Sequence, residues 1–239
     1  MELAGSVALV TGGNRGIGAA IVDALLAAGA RRVYAAMRTA SGVADSGRVV
    51  RIALDITKAD QVAEAAGACA DVQILVNNAG IALAQPLLAT SDAQAAESEM
   101  RVNYLGPLAM CRAFAPVLAR NGGGAIVNIL SILSRVPLPA VGSYSASKAA
   151  ALSLTQAIRG ELAPQGTLVV GVMPGFVDTD MARRIPGPKL APREVAASVV
   201  EALRTGTEDV YPGPAAQIAA DLQRDAKAVE KRFATLLQG

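Results

Sequence analysis

The stretch SVALVTGGNRGIGAAIVDALLAAG, residues 6–29, decides the fold. Its opening run, residues 6–10, has the apolar content of a buried strand, and residues 17–29 carry apolar side chains at helical spacing up to a glycine stop. Between them, Thr11-Gly12-Gly13-Asn14-Arg15-Gly16-Ile17-Gly18 supplies glycines that permit a tight turn and bring backbone N–H groups close to an anion. Strand, glycine-rich turn and helix N-terminus in that order form a pyrophosphate cradle, because the glycines leave room and the helix dipole favours the charge. The stretch therefore predicts a dinucleotide-binding unit, with Gly12, Asn14, Arg15, Gly16, Ile17 and Gly18 as cofactor contacts.

Outward from it, short Val- and Ile-rich runs alternate with alanine-rich helical segments, the pattern of βαβ units. Strands are predicted near 6–11, 32–36, 49–54, 73–77, 125–130, 167–173 and 209–211. Helices are predicted near 17–29, 58–70, 91–120, 144–163 and 193–205, with a last amphipathic one within 214–236. The fold class is α/β: a Rossmann-type, doubly wound, mostly parallel seven-stranded sheet with helices on both faces, in a single domain over residues 1–239. Residues 38–48, between the second and third strands, are too few and too polar for a packed crossover helix, so a loop is expected there.

The chain is 52% hydrophobic over 239 residues, which suffices for a sizeable core, and its charges are interspersed to a net +2. No basic face points to nucleic acid, no uninterrupted apolar run has membrane-spanning length, and the N-terminus lacks a signal-peptide layout. Neither a nucleic-acid nor a membrane partner is expected, and the location expected is cytoplasmic. Cys69 and Cys111 lie far apart in alanine-rich helical sequence and read as buried thiols. The chain contains no histidine, which removes a Ser-His-Asp triad and histidine-based zinc sites, and two distant cysteines form no metal cluster. No metal is expected, and proton transfer falls to Tyr, Lys, Ser or carboxylates.

GSYSASKAA, residues 142–150, offers such a pair. Tyr144 and Lys148 are four residues apart on a predicted helix, hence on one face. A phenol of pKa about 10 is a poor acid–base group at neutral pH, and a nearby ammonium is expected to lower it. Ser131 ends the strand 125–130, where open parallel sheets bind ligands, with Ser134 and Ser143 as alternatives to it. At the end of the second strand, Ala36-Met37-Arg38 stands where an NAD site carries a carboxylate for the ribose. Arg38, helped by Arg15, suits a 2′-phosphate, which predicts NADP(H) over NAD(H) unless both are solvated loop charges. Asp55 and Ile56, after the third strand, are further cofactor candidates: Asp55 either accepts from the adenine amino group or caps the next helix.

Together, TGGNRGIG at 11–18, Asn77-Asn78-Ala79-Gly80, Asn103, Ser131, Tyr144-x-x-x-Lys148 and Pro174-Gly175 resemble, in order and over nearly the whole chain, the short-chain dehydrogenase/reductase family. The glycine spacing looks like the single-domain branch that includes NADP(H)-dependent carbonyl reductases. That resemblance implies an oxidoreductase in which Tyr144 protonates a carbonyl oxygen as hydride leaves the nicotinamide, while Ser131 hydrogen-bonds the same oxygen. It also implies that Lys148 holds the nicotinamide ribose and that Asn103 anchors a water, unless Asn103 merely bridges a helix irregularity near Gly106-Pro107. Asn77, Ala79 and Gly80 are then expected on the adenosine side, and Pro174, Gly175, Val177 and Thr179 against the nicotinamide, with a helix N-cap as the alternative for Thr179.

The substrate is read more coarsely. Residues 180–192 take the place of the family's mobile lid and are short, which implies an open cleft. Leu133, Pro137, Leu138, Val141, Phe176 and Met181 are apolar pocket candidates and favour a small hydrophobic ketone or aldehyde over a sugar. One alternative is a 3-oxoacyl-carrier-protein reductase, with Arg183, Arg184 and Lys189 attracting the carrier; another is a non-catalytic NADP(H)-sensing protein on the same fold. The charged C-terminal segment departs from the short glycine-rich tail of the carrier-protein reductases. A homodimer through the helices at 91–120 and 144–163 is expected, with a tetramer as the alternative.

Overall fold

The computed structural model describes residues 1–39, 47–90, 92 and 94–236. Among these, seven strands form one parallel sheet: β1 (Val7–Thr11), β2 (Arg32–Met37), β3 (Val49–Ala53), β4 (Ile74–Asn77), β5 (Ala125–Ile129), β6 (Leu168–Val172) and β7 (Asp209–Val210). Their order is β3-β2-β1-β4-β5-β6-β7, so the winding reverses between β1 and β4, and a crevice opens beyond the carboxyl ends of those two strands.

Both sheet faces are covered, and β1 shows how the sequence requires it. Val7 and Leu9 pack with Val62 of α2 (Ala59–Ala68), Phe114 of α4 (Gly106–Arg120) and Ile158 of α5 (Gly142–Leu162). Ala8 and Val10 point the other way, toward Ile21 and Leu25 of α1 (Gly16–Ala27) and Val199 and Leu203 of α6 (Pro192–Thr205). Each large apolar side chain buried this way contributes about 1.5–3 kcal/mol. A strand apolar on both sides therefore has no stable edge-exposed alternative.

The helix expected over 91–120 is three pieces. α3 (Ala95–Met100) runs into a π-helical turn, Arg101–Leu105, in which the Gly106 N–H reaches back to the Arg101 carbonyl, and α4 follows. Residues 91 and 93 lie outside the described residues. The final helix is two, α7 (Ala215–Arg224) and α8 (Ala226–Thr235). They part at Asp225, whose extended backbone cannot continue a helix and whose Oδ1 accepts from the Ala228 N–H at 2.9 Å, capping α8. The loop expected at 38–48 falls mostly on residues 40–46, outside the described residues. No helix among the described residues is long and apolar enough to cross a membrane, and no His/Cys/Asp/Glu group among them could hold a metal.

Candidate active site

The crevice is a cleft of about 2000 Å³ that runs past the ends of β1 through β6, well above the ~300–1,000 Å³ of a pocket for one drug-sized molecule. At one end lies the glycine turn, with Gly12, Asn14, Arg15, Gly16 and Ile17 on the wall. Gly12 has φ +65°, and a Cβ there would stand 3.0 Å from Asn78 Nδ2. Gly18 is off the wall: its missing Cβ leaves α1 free to lie against the turn, since a methyl would fall 2.1 Å from the Gly12 carbonyl oxygen. The glycines thus leave backbone open on the wall before α1, whose first turn carries no acidic residue. These are the requirements of a phosphate cradle, so the residues present fit a dinucleotide.

Two residues that the sequence reading did not assign hold this turn in place. Thr11 Oγ1 accepts from the Asn78 and Ala79 N–H groups at 2.9 and 3.0 Å, and Asn78 Nδ2 donates to the Thr11 and Gly12 carbonyls at 2.9 and 3.2 Å. Asn78, Ala79 and Gly80 line the cleft. Asn77 does not, which corrects its assignment to the adenosine side. It is 4% exposed at the end of β4, where Nδ2 donates to Asn128 Oδ1 at 2.9 Å and to Cys111 Sγ at 3.4 Å. Strand periodicity carries the signal that was missed: in an Asn-Asn pair leaving a strand, one side chain faces the core and the next faces away.

Arg38, Asp55 and Ile56 line the cleft beyond β2 and β3. Asp55 caps no helix terminus; its Oδ1 accepts from the Thr57 N–H and hydroxyl at 2.9 and 2.7 Å, and these bonds hold its carboxyl below the ordinary value. Arg15 turns its guanidinium across the mouth to Asp180 at 3.0 Å, and Asp180 also pairs with Arg183. The segment around Asp180 is therefore tied to the glycine turn. Its base is closed as well, by Asp178 N–H to the Leu190 carbonyl and Leu190 N–H to the Phe176 carbonyl, both 2.9 Å. Pro174, Gly175, Val177 and Thr179 line the cleft, and Thr179 makes no side-chain cap bond.

At the other end Ser131, Tyr144 and Lys148 share one wall. Ser131 Oγ accepts from the Leu133 N–H at 3.1 Å. Ser134 is spent on the Ser131 carbonyl, and Ser143 lies off the wall against the Gln85 carbonyl, so neither replaces Ser131. Lys148 Nζ, 6% exposed, donates to the Ile129 carbonyl at 2.8 Å. The expectation that the ammonium makes the phenol more acidic is reversed in the protein alone. Burial pushes Tyr144 up to about 12, opposed by its hydrogen bond with Ser131, and pulls Lys148 down to about 8. Lysine thus loses its charge before tyrosine loses its proton.

Asn103 sits in the π-helical turn, 1% exposed and off the cleft wall. Its Nδ2 donates to the Ile81 carbonyl at 2.8 Å and to Ser147 Oγ at 2.9 Å, and its Oδ1 accepts from the Ile81 N–H at 2.9 Å. Its amide therefore ties the irregular turn to the Ile81 loop and to α5, and makes no bond within the helix around Gly106-Pro107.

The substrate end is apolar. Leu133, Leu138, Val141, Phe176 and Met181 line it, while Pro137 is exposed outside it. The sequence reading missed the far side: Ala215 and Ile218 of α7 and Phe233 of α8 also line the cleft and belong to one cluster with Leu133, Leu138 and Tyr144. Their amphipathic spacing gave a helix but not its destination.

A family model described as short chain dehydrogenase matches residues 6–189. A crystal structure of a short chain dehydrogenase from Burkholderia cenocepacia in complex with NADP superimposes with a TM-score of 0.94 at 49% identity, covering 98% of this chain and 99% of that one. A probable galactose dehydrogenase of Rhizobium meliloti is 35% identical over 74% of this chain and 73% of its own length. A 3-oxoacyl-[acyl-carrier-protein] reductase of Synechocystis is 32% identical over 77% of this chain and 78% of its own.

Proposed function

Since this chain belongs to the short-chain dehydrogenase family, we propose that it is an NADPH-dependent reductase of an apolar ketone or aldehyde, with the reverse alcohol oxidation open to it. One observation carries the reading: Ser131, Tyr144 and Lys148 stand together on the wall of a cleft whose opposite end is a glycine cradle and whose lining beside the tyrosine is hydrocarbon.

The cradle of Gly12 to Ile17 holds the pyrophosphate, and Arg38 meets a 2′-phosphate where an NAD site would place an acid. Asp55 and Ile56 border the adenine, Ala79 and Gly80 the adenosine side, Lys148 the nicotinamide ribose, and Pro174 to Thr179 the nicotinamide. When bound, the cofactor supplies the hydride. Tyr144, protonated at neutral pH, donates its phenol proton to the substrate oxygen. Ser131, whose Oγ accepts from Leu133 and whose hydroxyl is hydrogen-bonded to Tyr144, turns its proton to that oxygen when a substrate enters and stabilises the charge that develops on it. Lys148 still carries its charge at pH 7 and stabilises the phenolate left behind. Asn103 is a positioning residue that fixes α5 against the 80–81 loop through Ser147 and Ile81.

The relatives include sugar dehydrogenases and carrier-protein reductases. The side chains clustered with Tyr144, among them Leu133, Leu138, Phe176, Ala215 and Phe233, are apolar, which favours the apolar carbonyl, while Glu97, Arg101, Arg183 and Arg184 line the cleft outside that cluster. The free, buried thiols Cys69 and Cys111 suit a reducing cytoplasm. A homodimer through α4 and α5, rather than a tetramer, would cover the half-exposed Leu105, and light scattering reads that state.

The test is NADPH oxidation with aryl ketones, α-diketones, a β-ketoacyl thioester and aldoses, in wild type and Tyr144→Phe. Turnover of the apolar carbonyls with wild type, lost by more than about a hundredfold in the variant while NADPH still binds, is expected. Activity on aldoses alone, or a variant within about tenfold of wild type, refutes the reading.

A further inference from the structure

Glu99, on α3, is 0% exposed, yet the reduction as described has no use for it. Its Oε1 accepts from the Leu83 N–H at 2.6 Å. Its Oε2 is buried with no hydrogen-bond partner among the described residues. A carboxyl group placed in this way is expensive, since each unpaired polar atom inside a protein costs about 1–3 kcal/mol and a charged one more. Its surroundings are specific. α3 packs on α5, the helix that carries Tyr144. Leu83 belongs to the stretch Gly80–Ala84, all of which lines the cleft. Ala84, next to the held N–H, has φ +53°, a left-handed conformation that a residue with a Cβ adopts at a cost of about 1–2 kcal/mol. Asn103 clamps the other end of the same stretch at Ile81.

We propose that Glu99 is a positioning residue for the substrate: its buried carboxyl, set on the helix that packs on α5, fixes the 80–84 wall of the cleft in its strained course through Oε1.

The inference rests on this cleft as the substrate site, but its test does not need turnover. Glu99→Gln keeps an acceptor for the Leu83 N–H; Glu99→Leu drops it and leaves no orphan oxygen. In the folded proteins, amide hydrogen exchange at Leu83 is expected to quicken by about tenfold in Glu99→Leu and to stay near wild type in Glu99→Gln. Where turnover is measured, the substrate KM should rise about fivefold in Glu99→Leu and stay near wild type in Glu99→Gln, with kcat little changed in both. Leu83 exchange unchanged in folded Glu99→Leu, or quickened equally in Glu99→Gln, overturns the proposal. Tyr144→Phe that still turns over is a different failure, because it removes the donor assignment and leaves the exchange result standing.

Discussion

Lys148 Nζ lies 5.8 Å from the centre of the Tyr144 ring, one helical turn along α5, and the burial that raises the phenol to about 12 brings the ammonium down to about 8. Sequence spacing gave the neighbours; the dryness of the site set the order in which they titrate. At neutral pH both still hold their protons, which is the state a reductase needs.

That depressed lysine makes a stability prediction for the cofactor-free protein. Between about pH 8 and the ordinary 10.5, the unfolded chain keeps the Lys148 proton and the folded chain does not, so stability from this group rises with pH across that window and is lost as pH falls through about 8. Tyr144 acts oppositely at higher pH, its contribution being full below 10.0 and lost as pH rises through about 12. Urea unfolding at pH 7 and pH 9.5 should show wild type gaining on Lys148→Met by on the order of 1–3 kcal/mol. Parallel curves for the two proteins would refute the shift.

Cofactor choice is assigned to Arg38. Arg38→Asp should lower the NADPH/NADH ratio of kcat/KM by about a hundredfold or more, because a charge-assisted bond to the 2′-phosphate is replaced by repulsion. A variant that keeps its NADPH preference places the phosphate elsewhere. Arg15 is then the next residue to test, since at present its guanidinium is held by Asp180.

Gly18→Ala separates packing from contact. The residue is off the cleft wall, but its new methyl would lie 2.1 Å from the Gly12 carbonyl oxygen and 2.5 Å from Asn78 Nδ2. Backbone must move, so a loss of about 3 kcal/mol and of cofactor binding together is expected, read by thermal melts with and without NADP⁺. An unchanged melting temperature contradicts the geometry.

Asn77→Ala tests the corrected assignment. It unpairs Asn128 Oδ1 in the core and should cost about 1–3 kcal/mol, while the cofactor Kd of the folded protein stays within about twofold of wild type. Asn78→Ala should do the reverse in emphasis, weakening the cofactor because the glycine turn loses its two amide bonds. If Asn77→Ala is the variant that loses cofactor, the strand-end reading fails.

The parallel sheet, its seven strands and the helix pair Tyr144–Lys148 were legible in the chain because they rest on local rules: apolar runs buried on both faces, a glycine stop, a four-residue spacing. The glycine turn was legible for the same reason. What failed did so where a long-range partner decides. The π-helical turn at Arg101–Leu105 has no propensity signature, being held by Asn103 reaching Ile81 and Ser147. The 214–236 segment showed its amphipathic pattern, but its apolar face meets Leu133 and Phe176 only after the chain has returned across the sheet edge.

By itself, then, the sequence determined which residue types stand at which strand ends and helix turns, since backbone geometry converts spacing into facing within a few residues. Only the tertiary structure decided which of them are dry. Burial is a sum over elements distant in the chain, and it placed Asn77 in the core, sealed Glu99 beside the loop that lines the cleft, and inverted the order of proton affinities in the Tyr144–Lys148 pair.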